Sequence, residues 1–316
     1  MMKTKTRAAK TPAVRHVLDL FDFTAEEIEH LLERAAKLKK AHHRQADKPL
    51  LQRRVVGLIF EKPSLRTRVS FQAAVAQLGG TSLFMAGNEA GLGVRETVAD
   101  FARTLANYVD AVVLRVFRHQ TVVDFAAFSS VPVINGLSDY SHPCQALGDL
   151  LTMRQTFKDW HKRTVAFIGD GNNVARSLAV GCGKLGIPFI LAAPDGYGFD
   201  EPFLEEFRER LPDARLEQTQ DPKEAAAAGD FIYTDVWASM GQEDEREQRR
   251  KSFASFQVNG NLLALAPPDA RFMHCLPAHR GEEVTDDVVD SERSIVFAQA
   301  GNRMHAQKAL LAWLLR

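Results

Sequence analysis

Six short segments hold most of the side chains able to do chemistry. In Phe60-Glu61-Lys62-Pro63-Ser64-Leu65-Arg66-Thr67-Arg68 an apolar run ends at a proline, and Ser64 is placed to cap a following helix. Unpaired N–H groups at a helix start favour an anion, and two hydroxyls and two arginines stand beside them here. The segment is a phosphate-sized site without a glycine-rich loop, or else a capped amphipathic helix with surface arginines. Arg115 closes another apolar run, where it can reach into a crevice or serve as a surface charge. In Ser141-His142-Pro143-Cys144-Gln145, Pro143 suits a first helical turn, and His142 and Gln145 lie three apart on one face. A histidine donor beside an amide suits a carbonyl next to an NH2 group; a capping or core histidine is the plainer reading.

The second half carries the other three segments. Phe167-Ile168-Gly169-Asp170-Gly171-Asn172-Asn173 has the strand-to-glycine turn of a dinucleotide fold, but Val174 replaces the third glycine. Two asparagines at a helix start suit a small zwitterion better than a pyrophosphate. In Thr234-Asp235-Val236-Trp237-Ala238-Ser239-Met240-Gly241, a carboxylate followed by a Ser-Met-Gly loop could hold an ammonium group. The charged run from Glu243 to Lys251 reads as a solvated surface. Met273-His274-Cys275-Leu276-Pro277-Ala278-His279 has no common zinc spacing, which leaves Cys275 as a catalytic thiol or a polar wall.

These segments need elements to position them. Thr24 to Glu27 forms a capping box, and Ile28, Leu31, Leu32, Ala35 and Leu38 follow at helical spacing. Short apolar runs predict strands at 55–60, 111–114, 131–134, 164–168, 189–193, 231–234 and 294–297, with helical patterns between most of them. One long helix is expected from Ser141 to about Trp160, and a last one from Met304 to Leu315. Alternating strands and helices imply an α/β fold of two domains, each a mostly parallel sheet with helices on both faces. Ligands of such folds bind beyond the carboxyl ends of the strands.

Composition agrees. The chain has 316 residues, enough for two domains, and forty Lys plus Arg balance forty Asp plus Glu. That balance argues against a nucleic-acid binder. No apolar stretch approaches the length of a membrane span. Three cysteines, an odd number, point to reduced thiols and a cytoplasmic setting. The basic first sixteen residues read as a frayed tail rather than a transit peptide.

Taken together and in order, S-x-R-T-R, H-P-x-Q, G-D-x-N-N, D-V-W-x-S-M-G, H-C-L-P and Asn302-Arg303-Met304 resemble the aspartate/ornithine carbamoyltransferase family, and most closely its ornithine branch. The resemblance runs from about Arg15 to the C-terminus. It implies a carbamoyl-phosphate-binding domain over 1–140, completed by the helix at 300–316, and an ornithine-binding domain over 141–299. It implies that Ser64, Leu65, Arg66 and Thr67 hold the phosphate and that Arg115 bridges phosphate and carbonyl. His142 would donate to the carbonyl oxygen, Gln145 would hold the carbamoyl NH2, and Arg303 would return from the last helix. Asn173, Asp235, Ser239 and Met240 would bind ornithine, with Cys275 and the Leu276 carbonyl facing the reacting amine. Arg115, His142, Asp235 and Cys275 would be the catalytic set, with no cofactor or metal. A homotrimer, or a multiple of trimers, is implied as well. Leu65 departs from the threonine of the ornithine branch and leaves N-acetyl- or N-succinylornithine as alternative substrates. A non-catalytic binding homologue is the alternative of another class.

Overall fold

The computed structural model describes residues 14–87, 91–238 and 243–315. Strands β1 (Val55–Phe60), β2 (Thr81–Ala86), β3 (Ala111–Arg115) and β4 (Val133–Leu137) form one sheet in the order β2-β1-β3-β4. Strands β5 (Val165–Ile168), β6 (Phe189–Ala192), β7 (Leu216–Thr219), β8 (Phe231–Thr234) and β9 (Arg271–His274) form a second, ordered β7-β6-β5-β8-β9. Every neighbouring pair is parallel. The β-branched and aromatic runs of β3, β5 and β8 are buried along their whole length, as a sheet covered on both faces requires. The expected α/β class with two domains is the architecture observed.

Strand order decides where ligands can sit. In the first sheet the chain winds outward from β1 to β2 and then returns to the other side of β1 to place β3. In the second it winds from β5 through β6 to β7, then returns beside β5 to place β8. Each reversal opens a crevice beyond the strand ends, between β1 and β3 and between β5 and β8. Ser64–Thr67 follows β1, and Arg115 ends β3; Asp170–Asn173 follows β5, and Asp235 follows β8. The chemistry-bearing segments therefore lie at the two switch points.

Some elements differ from the sequence reading. The run 294–297 is not a strand: Ser294 makes an isolated bridge to Phe272, and a helix starts at Val296. That helix, Val296–Leu314, begins eight residues before the expected start because its first turns include Phe297, Ala298 and Gly301, which give a weak periodic signal. The expected long helix is Pro143–Thr156, closed by an extended Phe157 and followed by a single 3-10 turn at Trp160–Lys162. Strands β2, β7 and β9 were not expected. β2 and β7 are edge strands with exposed polar positions, and β9 is only four residues long. The capping box is present: Thr24 Oγ1 accepts from Glu27 N–H at 3.2 Å, and Glu27 Oε2 accepts from Thr24 N–H at 3.0 Å. The basic residues 1–13 lie outside the described residues.

The Val296–Leu314 helix ties the halves together. Near its start Gln299 Oε1 accepts the N–H of His274 at 2.9 Å, on the second sheet. Nine residues on, the wholly buried Lys308 ammonium donates to Asp47 Oδ1 at 2.6 Å and Gln77 Oε1 at 3.0 Å, in the first domain. Between these anchors the helix packs along Pro143–Thr156 and Leu65–Gln77 and delivers Arg303 to the cleft. A buried ammonium that loses its counter-ion is strongly destabilising, whereas replacing it with an apolar chain is often tolerated. Asp47→Ala is therefore expected to lower the unfolding free energy by about 2–3 kcal/mol, and Lys308→Met by clearly less. Denaturant unfolding followed by fluorescence checks the order.

Candidate active site

One cleft of about 1270 Å³ lies between the two switch points. Its lining includes Ser64, Leu65, Arg66, Thr67, Arg115, His142, Gln145, Asn173, Asp235, Cys275, Leu276 and Arg303. Twelve of the fourteen residues singled out from the sequence thus converge there. The other two, Ser239 and Met240, lie outside the described residues.

The anion-binding corner is built from a helix start and two guanidinium groups. Ser64 is extended (φ −158°, ψ 107°), and its Oγ caps the Leu65–Gln77 helix by accepting from Thr67 N–H at 3.2 Å. The N–H groups of Leu65 and Arg66 have no partner within the helix, as in any first turn. Thr67 is buried, and its hydroxyl oxygen accepts from Arg303 Nη2 at 2.9 Å and Arg115 Nη1 at 3.4 Å. With both lone pairs engaged, that hydroxyl has only a proton left to offer. Arg115 and Arg303 are both buried, and among the described residues no carboxylate pairs with either. Burial and the nearby Arg303 charge push Arg115 down to about 10, still cationic at neutral pH. Each guanidinium also leaves a buried Nε–H without a protein partner. Leu65 adds a backbone N–H to this corner but no hydroxyl, and its side chain is 75% exposed.

His142 and Gln145 form the next wall. Burial, together with the Arg303 and Arg115 charges, holds the His142 imidazole well below the ordinary histidine range, so it is neutral. Its backbone N–H donates to Ser177 Oγ at 2.7 Å, which fixes the helix start, while its Nδ1 has no protein partner. Gln145 gives its Nε2 to Asp149 Oδ1 at 2.8 Å and keeps a buried Oε1 without a partner. The corner thus offers a dense set of donors beside one amide oxygen, the complement of an oxyanion or phosphate next to an NH2 group.

The second-domain wall is acidic. Asp235 Oδ1 accepts from the Cys275 thiol at 2.9 Å, and Oδ2 accepts from Asn172 Nδ2 at 3.0 Å. Burial, reinforced by the Asp235 charge, pushes the Cys275 thiol well up, so it stays protonated. Cys275 is thus the donor of the pair and Asp235 the acceptor. Asn172 Oδ1 also accepts the N–H groups of Val174 and Ala175, capping the Asn173–Lys184 helix. Asn173 spends its amide N–H on Ser138 O at 2.5 Å, across the domain junction, which leaves its Oδ1 for a ligand. Leu276 sits in the left-handed region (φ 58°), and its N–H donates to His274 Nδ1 at 2.8 Å. That bond requires the His274 proton to be on Nε2, which lies 3.1 Å from Glu283 Oε1. Asp235, His274 and Cys275 bring three potential metal ligands close together, but their nearest atoms are committed to these hydrogen bonds.

Several contributors were not evident from the sequence. Arg249 belongs to the run read as solvated surface, yet it is buried and donates to Asp170 Oδ2 at 2.8 Å and Trp237 O at 3.0 Å. It was hidden because one inward-facing arginine among eight charged residues leaves no periodic trace. Asn172 was visible in the motif, but its hold on Asp235 depends on the β5–β8 neighbourhood. Asp149, four residues after Gln145 and so on the same helix face, carried the one signal that could have been read.

The Cys275 geometry has a chemical consequence. Asp235→Asn removes the second cause of the raised thiol pKa, so more thiolate forms and alkylation by iodoacetamide at about pH 8 is expected to speed up severalfold. Cys144, pushed up to about 12 by burial, and the buried Cys182 are expected to stay unmodified in both proteins. Peptide mapping by mass spectrometry reads the difference.

Known proteins resemble this chain along both halves. Residues 15–155 match the family model described as aspartate/ornithine carbamoyltransferase, carbamoyl-P binding domain. Residues 161–314 match its Asp/Orn binding domain. The ornithine carbamoyltransferase of Pyrococcus abyssi is 50% identical over 309 residues, covering 95% of this chain and 96% of that protein. The anabolic ornithine carbamoyltransferase of Pyrococcus furiosus is 49% identical over 311 residues, covering 96% and 97%. The solved structure of the Pyrococcus furiosus enzyme superposes with a TM-score of 0.91 at 50% identity, covering 96% of this chain and 98% of that one. That of the Thermus thermophilus enzyme gives 0.84 at 40% identity, covering 95% and 99%. With matching models over both halves and relatives of this identity along nearly its full length, the chain belongs to the aspartate/ornithine carbamoyltransferase family.

Proposed function

We propose that this protein transfers the carbamoyl group of carbamoyl phosphate to the δ-amine of L-ornithine, giving L-citrulline and phosphate in the direction of arginine biosynthesis. The observation that carries the reading is the pair of buried guanidinium groups with no carboxylate ion-pair partner among the described residues, set around the Thr67 hydroxyl beside the neutral His142 and the free Gln145 oxygen. A phosphate dianion supplies the missing charge. The carbonyl oxygen then meets Arg115 and His142, and the NH2 group meets Gln145 Oε1. Residues 1–140, with the helix at 300–316, form the carbamoyl-phosphate half, and residues 141–299 form the ornithine half.

The reaction needs a neutral amine, because a protonated one has no lone pair and an alkylammonium titrates near 10. Asp235 and Asn173 hold the amino acid through its charged groups, and the Leu276 carbonyl and the Asp235–Cys275 pair face the δ-nitrogen. As that nitrogen bonds to the carbonyl carbon, negative charge builds on the oxygen, and Arg115 and His142 are fixed in place to receive it. The C–O bond to phosphate then breaks with its electron pair. The leaving phosphate gains charge against the Leu65–Gln77 helix start and the guanidinium groups, and it is one acceptor for the proton the amine gives up. No resident cofactor or metal enters the scheme.

The assembly is a homotrimer or a multiple of trimers. Leu65 and Val69, 75% and 52% exposed, put apolar surface on the first turns of the cleft-side helix, which supports an interface there. No described helix is long and apolar enough to cross a membrane. The reaction is placed in the cytoplasm, where reduced thiols such as Cys275 persist.

A colorimetric assay of carbamoylated product tests the substrate assignment with ornithine, N-acetylornithine, N-succinylornithine and aspartate in turn. Turnover with ornithine alone is expected; turnover only with an acylated ornithine would show that the Leu65 departure changes the substrate. In the same assay Arg115→Ala is expected to lower kcat by roughly a hundred- to a thousandfold, the usual effect of losing one oxyanion donor. Near-normal turnover would remove Arg115 from the mechanism.

A further inference from the structure

The Gln145 amide has two ends of opposite hydrogen-bonding character, and recognition of a carbamoyl NH2 can use only its oxygen. What fixes the orientation lies behind it. Asp149 is wholly buried, and its Oδ1 accepts from Gln145 Nε2 at 2.8 Å and Gln299 Nε2 at 2.7 Å. Its Oδ2 accepts from the Tyr233 hydroxyl at 3.2 Å. Gln299 is itself oriented, since its Oε1 accepts the His274 N–H at 2.9 Å and its Nε2 also reaches Tyr233 Oη at 3.0 Å. An ionised carboxylate has no proton to donate. Any amide beside it must therefore turn its NH2 toward it, and Gln145 is left with Oε1 at the cleft wall.

We propose that Asp149 is a positioning residue that sets carbamoyl specificity, by locking Gln145 in the one orientation that selects a ligand bearing NH2 over one bearing methyl beside the same carbonyl and phosphate. The inference rests on the transfer reaction above and assigns its donor selectivity to a residue that touches no substrate. A methyl group gives nothing to Gln145 Oε1, and a flipped Gln145 would set NH2 against NH2. Acetyl phosphate, which differs from carbamoyl phosphate by that group alone, is the natural probe.

Burial raises the Asp149 carboxyl to about 6, against the opposing pull of Gln299, Gln145, Tyr233 and Arg303. Work at about pH 8 keeps it ionised.

The test measures the KM for carbamoyl phosphate, the KM for ornithine and the competitive inhibition constant of acetyl phosphate. It compares wild type, Asp149→Ala, Gln145→Ala and the double variant. Asp149→Ala is expected to raise the carbamoyl phosphate KM by about ten- to a hundredfold, as for loss of a buried hydrogen-bond partner. The acetyl phosphate constant and the ornithine KM are expected to move less than about threefold, and the double variant to be no worse than Gln145→Ala. Equal losses for the two phosphates, or additive losses in the double variant, would reduce Asp149 to a structural role and overturn the proposal. If Asp149→Ala does not fold, the isosteric Asp149→Asn takes its place. Its amide pairs with Gln145 in either orientation, so selectivity for carbamoyl over acetyl phosphate is expected to fall severalfold, and unchanged selectivity overturns the proposal. A wild-type protein that does not use carbamoyl phosphate at all would instead defeat the reaction reading.

Discussion

Two guanidinium groups, Arg115 and Arg303, are buried around one hydroxyl, and among the described residues no carboxylate lies within ion-pair distance of either. Isolated buried charge is among the most expensive things a fold can hold, so this arrangement makes physical sense only if something else supplies the negative charge. Much of the surrounding structure serves to keep it in place. Ser64 caps the helix that presents Thr67, and β3 ends at Arg115. The C-terminal helix is anchored at one end by Gln299 and at the other by Lys308, so that Arg303 arrives from a distant part of the chain. An anionic ligand held there would balance both charges.

The division of labour follows from the same physics. The first-domain wall is cationic and rich in donors, and the facing wall is acidic, with Asp235 holding the Cys275 thiol and the Asn172 amide. An anionic donor and a cationic amino acid are thereby drawn to opposite walls of one cleft. Groups at both walls are kept in definite protonation states by burial and neighbours: a neutral His142, a protonated Cys275, a cationic Arg115. Such fixed donors need no rearrangement when charge develops, which is the main way a site of this kind lowers a barrier.

Much of this was legible in the sequence, and the gaps have physical reasons. Strands β1, β3, β5, β6 and β8 are runs of apolar residues and announce themselves; β2 and β7 lie at sheet edges, where polar residues dilute the pattern. The first turns of the C-terminal helix carry a weak periodic signal, and the Ile-Val-Phe run within 294–297 is apolar like a strand although only Ser294 bridges to the sheet. Site residues that follow strand ends were found through local motifs. Gln299, Tyr233 and Arg249 were not, because their importance comes from partners 66 to 150 residues away. Local spacing carries no record of such pairings.

The most direct test of the central claim compares the thermal unfolding of the wild type and Arg303→Met, each with and without saturating inorganic phosphate. Without phosphate, removing one buried charge that has no direct ion pair among the described residues is expected to leave Arg303→Met as stable as the wild type or more so. With phosphate the order should reverse, because only the wild type retains the full cationic corner and gains the larger stabilisation from binding. If Arg303→Met is less stable by the same margin in both conditions, Arg303 is an ordinary structural residue, and the cleft is not organised around anion binding.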